Sequence, residues 1–129
     1  MTTTTDKVTY TYEDVLAELR EIIKFREGYV YKAPEDGVCV NFYMGEPSCL
    51  VGHWLAMHGV TQGFLWKHNI SPDATVADLF RNNADVMPMQ VDERALKLLI
   101  LAQSRQDSFN TWGDAVETSS RNVVEEYAS

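Results

Sequence analysis

Asp92-Glu93-Arg94-Ala95-Leu96-Lys97-Leu98-Leu99-Ile100-Leu101-Ala102-Gln103-Ser104-Arg105-Gln106 is the stretch on which the fold turns. Asp92 is a strong N-cap residue, because its carboxylate accepts from the free N–H groups of a first helical turn. Ala95, Leu96, Leu98, Leu99, Leu101 and Ala102 run almost all the way round the cylinder. A helix apolar on nearly every side is buried, so a central helix is expected over about 93–106 with other helices packed round it.

Upstream, Thr11 and Asp14 have the spacing of a capping box, in which each satisfies the other's free N–H. Val15, Leu16, Leu19, Ile22, Ile23 and Phe25 follow as a helical stripe closed by Gly28. Tyr29-Val30-Tyr31-Lys32 and 38–44 are β-rich runs around Ala33-Pro34-Glu35-Asp36-Gly37, and Asp-Gly between such runs signals a hairpin. On its second strand Val38, Val40, Phe42 and Met44 should share one face, and Cys39, Asn41 and Tyr43 the other. Ser48 is placed to cap a helix over about 49–58, closed by Gly59. Thr61 and Thr75 open two short helices, and Thr111 with Asp114 opens the last. The expected class is α+β, mainly α: a helical domain with one antiparallel hairpin at about 29–44. Residues 1–9 read as a flexible polar tail and 10–129 as one globular domain, an ordinary size for a single core.

Composition narrows the function. At 45% hydrophobic and 23% charged the chain is globular rather than disordered. Its 11 Lys and Arg against 19 Asp and Glu give a net charge of -8, which argues against nucleic acid or an anionic membrane as partner. The longest apolar run, Leu98 to Ala102, is far short of the roughly 18 residues a membrane span needs. Met1-Thr2-Thr3-Thr4-Thr5-Asp6-Lys7 has no apolar signal region, and two cysteines make no disulfide scaffold, so a cytoplasmic setting is expected.

Four groups of residues could carry chemistry. Cys39, Cys49 and His53 offer the thiolate and imidazole ligands zinc prefers, with His58 and His68 further off. Their spacing matches no familiar zinc pattern, and small buried thiols with a hydrogen-bonded histidine are the better account of them. Cys49 at a helix start, with His53 one turn on, could instead be an activated nucleophile. Glu46 just before that helix would oppose thiolate formation, and nothing is evidently placed to orient His53. Arg105, Asp107 and Trp112 could form a recognition patch between the last two helices, or simply manage helix ends and fill a corner. Finally, Tyr29, Tyr31 and Tyr43, with Tyr10, Tyr12 and Phe42 near them, could bind a partner or only pack across strands. There is no Gly-rich phosphate loop, no Walker lysine and no G-x-S-x-G elbow, and no cofactor is expected.

Two blocks are similar to a known group. Tyr29-Val30-Tyr31, Cys39 and Pro47-Ser48-Cys49-Leu50-Val51-Gly52 form the first; Ala102-Gln103-Ser104-Arg105-Gln106-Asp107 and Trp112-Gly113-Asp114-Ala115-Val116 form the second. Together they resemble a family of small actinobacterial and actinobacteriophage proteins with no assigned activity. A Gly often follows the Gln-x-x-Gln-Asp stretch in that group, where this chain has Ser108. The resemblance implies a phage or actinobacterial cytoplasmic setting and no particular site residue. The leading expectation is a non-enzymatic accessory protein that binds a host protein or itself. The alternatives are a structural metal site at Cys39, Cys49 and His53, a cysteine enzyme acting through Cys49 and, more remotely, an acidic surface that imitates DNA.

Overall fold

The structure, a computed structural model, describes residues 7–32, 40–108 and 110–128. Its elements run β1 (Val8–Tyr10), α1 (Tyr12–Ile23), β2 (Phe42–Tyr43), β3 (Glu46–Pro47), α2 (Leu50–Met57), α3 (Gln62–Lys67), a π-helical turn (Asp78–Asn82), β4 (Met89–Val91), α4 (Glu93–Asp107) and α5 (Trp112–Ala128). The protein is mainly α within the α+β class. Among the described residues no helix is long and apolar enough to cross a membrane.

As its all-round apolar surface required, α4 is the centre, packing against α1, α2 and α5. Ala95, Leu98, Leu99 and Ala102 are sealed within that contact, facing Val15 and Leu19 of α1, Trp54 and Leu55 of α2, and Val116 and Val123 of α5 within one continuous core. Each leucine or valine among them contributes about 1.5–3 kcal/mol by leaving water. Both reciprocal bonds of the Thr11–Asp14 capping box form, at 3.0 and 3.2 Å. Asp92 caps α4 by accepting from the Ala95 N–H at 2.7 Å.

β1 and β4 pair in parallel, with Val8 beside Met89, Thr9 beside Gln90 and Tyr10 beside Val91. Ordered strand therefore begins two residues inside the stretch read as a polar tail. The pairing sets the capping residues Thr11 and Asp92 side by side, so α1 and α4 start from one edge. α1 ends at Ile23, well before Gly28, and Phe25 is not part of its apolar stripe: it is 91% exposed.

The antiparallel pair lies later than the Asp36-Gly37 signal suggested. Phe42 pairs with Pro47 and Tyr43 with Glu46, around a two-residue turn in which Met44 and Gly45 both have positive φ (52° and 86°). That handedness matches the twist of paired strands, which is why two-residue hairpins select it. Val30, expected to join this hairpin, bridges Thr111 instead. Strict alternation fails too, since Asn41 and Phe42 are both buried. Asn41 is drawn inward because its N–H donates to the Pro72 carbonyl at 2.8 Å and its Nδ2 to the Ala74 carbonyl at 2.7 Å. The expected turn at 33–37, and Val38 and Cys39, lie outside the described residues.

Candidate binding cleft

Where α1 ends, the chain turns tightly: the Arg26 N–H donates to the Ile23 carbonyl at 2.7 Å and the Tyr29 N–H to the Arg26 carbonyl at 3.0 Å. The turn is tied to the first residues of α5, whose Trp112 and Gly113 N–H groups donate to the carbonyls of Tyr29 (2.8 Å) and Glu27 (2.9 Å). A Cβ on Gly113 would come within 3.0 Å of that Glu27 oxygen, so the close approach favours glycine. Thr111 caps the helix by accepting from the Asp114 N–H at 3.1 Å. The free N–H groups of a helix start are thus consumed by the neighbouring loop and by the cap.

This junction forms one wall of an open cleft of about 560 Å³, with Arg26, Tyr29 and Trp112 on it. The β2–β3 hairpin and the start of α2 supply the other, through Tyr43, Glu46, Pro47, Ser48 and His53. The volume falls within the roughly 300–1,000 Å³ of ligand-binding clefts. The Trp112 ring meets Tyr29 edge-on at 4.8 Å and His53 edge-on at 5.5 Å. Trp112 itself is only 1% exposed, and its indole N–H, also buried, finds no acceptor among the described residues. Leaving such a donor unpaired costs about 1–3 kcal/mol. Burial, aided by the nearby Arg26 guanidinium, pushes the His53 pKa below its ordinary 6.5, so the ring is neutral at pH 7.

Of the residues singled out from the sequence, Tyr29, Tyr43, Trp112 and His53 converge here. Tyr31 is not on this surface. It is buried behind the wall, its hydroxyl 3.0 Å from Ser48 Oγ. Arg105 and Asp107 do not join Trp112 in one patch. Asp107 lines a second hollow of about 360 Å³ with Gln103, Ser104 and Ile100, and Arg105 is half-buried with its Nε unpaired. Arg26 and Glu46 were not read as binding residues, and nothing in their local sequence beyond closeness to Tyr29 and Tyr43 signals it.

Cys49, rather than Ser48, caps α2: its Sγ accepts from the Gly52 N–H at 3.4 Å. The S–H is directed at Asn41 Oδ1 (3.2 Å) and Gln103 Oε1 (3.5 Å), and the residue is fully buried. Sulfur is a weak acceptor, and α4 supplies the stronger one: Gln106 Oε1 takes the Leu50 N–H at 2.8 Å. Asp107 Oδ1 in turn accepts from Gln106 Nε2 at 2.7 Å, which fixes the orientation of that amide. Asp107 therefore serves the start of α2 through Gln106. Cys39 lies outside the described residues, and among those described no three His, Cys, Asp or Glu side chains are grouped to hold a metal ion.

No protein-family model, curated protein or solved structure matches this chain.

Proposed function

We propose that this is a non-enzymatic accessory protein that acts by binding another protein through the Tyr29–Tyr43–Trp112 cleft, in the phage or actinobacterial setting its sequence blocks suggest. The observation that carries this reading is the convergence of two exposed tyrosines and an arginine on a buried tryptophan from separate parts of the chain. Aromatic and arginine side chains grouped round a dry centre are the anchors of protein interfaces. Phe25, 91% exposed, and Met44, 82% exposed, are the chain neighbours of the lining residues Arg26 and Tyr43. The net charge of -8 favours a protein over a nucleic acid as that partner.

Affinity capture from a mycobacterial lysate, repeated with Tyr29→Ala and Tyr43→Ala, tests the reading. A protein held by the wild type and lost by both variants, with the same ranking when purified components are titrated, is the expected result. Equal retention by the variants, or an inert monomer in sedimentation with nothing captured, refutes it.

A further inference from the structure

Three features of the cleft bear on what a partner must present. Arg26 forms no ion pair among the described residues, whereas Arg20, Arg81 and Arg94 each pair with a glutamate. Trp112 lines the same cleft, is nine-tenths buried and more, and its buried indole N–H has no acceptor among the described residues. Both groups call for an oxygen acceptor, and the arginine favours a charged one, since charge-assisted hydrogen bonds are roughly twice as strong as neutral ones. Glu46 lies on the opposite wall, so a run of negative charges would be repelled where a single one is not. Tyr29 and Tyr43 leave aromatic surface exposed at the rim, to which another ring would pack edge-on or offset.

We infer that the cleft takes a segment of the partner in which one carboxylate neighbours one aromatic side chain, the ring lying against Tyr29 and Tyr43 and the carboxylate pairing with Arg26 and accepting the Trp112 indole N–H. The inference rests on the reading of the cleft as the protein-binding site, and adds the chemistry that is read there. His53 is neutral at pH 7, so Arg26 supplies the only positive charge among the residues that line the cleft. Removing that one charge should remove the preference.

The test is an NMR titration of the full chain labelled with ¹⁵N. The three tryptophans give three indole N–H signals: Trp54 donates to Glu18, Trp66 is solvent-exposed, and Trp112→Phe identifies the third. The probes are the blocked dipeptide acetyl-Phe-Asp-amide and its neutral twin acetyl-Phe-Asn-amide. The expected result is a saturable downfield shift of the Trp112 signal, with about tenfold weaker binding of the neutral twin and loss of that difference in Arg26→Gln. Equal binding of both peptides at Trp112 overturns the carboxylate inference and leaves the protein-binding cleft standing. Shifts confined to Trp66, or none up to the solubility of the peptides, overturn it too, and the capture variants then judge the cleft independently. Movement of the Trp112 signal with protein concentration alone shows a second copy in the cleft, which also overturns it.

Discussion

Gly52→Ala sets two opposed effects against each other at one atom. In an ordinary helix the change gains about 1 kcal/mol, because glycine has the greater backbone freedom to lose. Gly52 has helical backbone angles, so the added methyl meets no conformational penalty of its own. What it meets is Asn41: the Cβ would overlap the carbonyl oxygen and sit 2.8 Å from the carbonyl carbon. These are backbone atoms, and the segment is pinned. The Asn41 N–H is held by Pro72, its side chain by Ala74, and the same carbonyl accepts from the Ser48 N–H at 2.8 Å. Relief requires α2 to move off the 41–48 segment. Overpacking of that kind costs about 1–3 kcal/mol or more, and the strained Ser48–Asn41 bond adds about 1 kcal/mol. Clash outweighs propensity, and a net loss of about 2–3 kcal/mol should lower Tm by roughly 10 °C. Gly63→Ala in α3 is the matched control, since its Cβ would meet nothing closer than Thr61 Oγ1 at 3.8 Å. It should stabilise by about 0.5–1 kcal/mol. Thermal and urea unfolding followed by circular dichroism reads both. A Gly52→Ala protein as stable as wild type, or a shift of the same sign in both variants, refutes the reasoning.

Glu18 Oε1 accepts from Trp54 Nε1 at 2.9 Å and lies 3.0 Å from His58 Nε2. Glu18→Ala should cost about 1–3 kcal/mol in urea unfolding, because the buried indole N–H loses its acceptor, while Glu18→Gln keeps a carbonyl oxygen there and should cost less; equal losses would show the bond is immaterial. pH separates two other groups. The His53 pKa is depressed, so its contribution is intact above its ordinary 6.5 and is lost as pH falls from there through the folded value. The Glu117 carboxyl, bonded by the Arg20 guanidinium at 2.7 and 2.8 Å, is likewise depressed, and its contribution is lost only below its ordinary 4.5. His53→Gln should therefore flatten the upper decline of the urea midpoint and leave the lower one; an unchanged upper decline would place its source elsewhere.

What the sequence made legible was local. Helix caps at Thr11, Thr61 and Asp92 depend on residues three positions apart, and all three form. The central place of α4 follows from its own surface. The β1–β4 pair escaped notice because each strand is three residues long and its partner lies some eighty positions away, too little local pattern to stand out. The pair at 42–47 went unread because Met44-Gly45 is a weaker turn signal than Asp36-Gly37, which lies outside the described residues: at position 44 a methionine takes a left-handed conformation that its side chain disfavours. That same turn, and the Val30–Thr111 bridge, bring Tyr43 and Tyr29 to Trp112. Four residues of the cleft, His53 included, could thus be named from the sequence while the cleft itself could not. Gln106 illustrates the converse: a polar residue near a helix end ordinarily faces water, yet here it is buried because α2 begins with an N–H that needs its oxygen.

The two sequence blocks then acquire a physical meaning. Gly52 lies against Asn41, Gln103 and Gln106 reach the start of α2, Tyr31 meets Ser48, and Gly113 closes on Glu27. These contacts join α2, α4, α5 and the loop after α1, the elements that carry the walls of the cleft. Arg26, Tyr43 and Glu46 lie outside the blocks and face the opening. Of the four side chains that would read a partner, Arg26 and Tyr43 are therefore separate from the blocks that shape the cleft, while Tyr29 and Trp112 belong to both. Substituting Arg26 or Tyr43, both exposed, should change stability by no more than about 0.5 kcal/mol, as surface changes usually do. A binding defect in those variants can then be assigned to lost contacts, whereas the same defect in a Gly52 or Gln106 variant would mean only that a wall had moved.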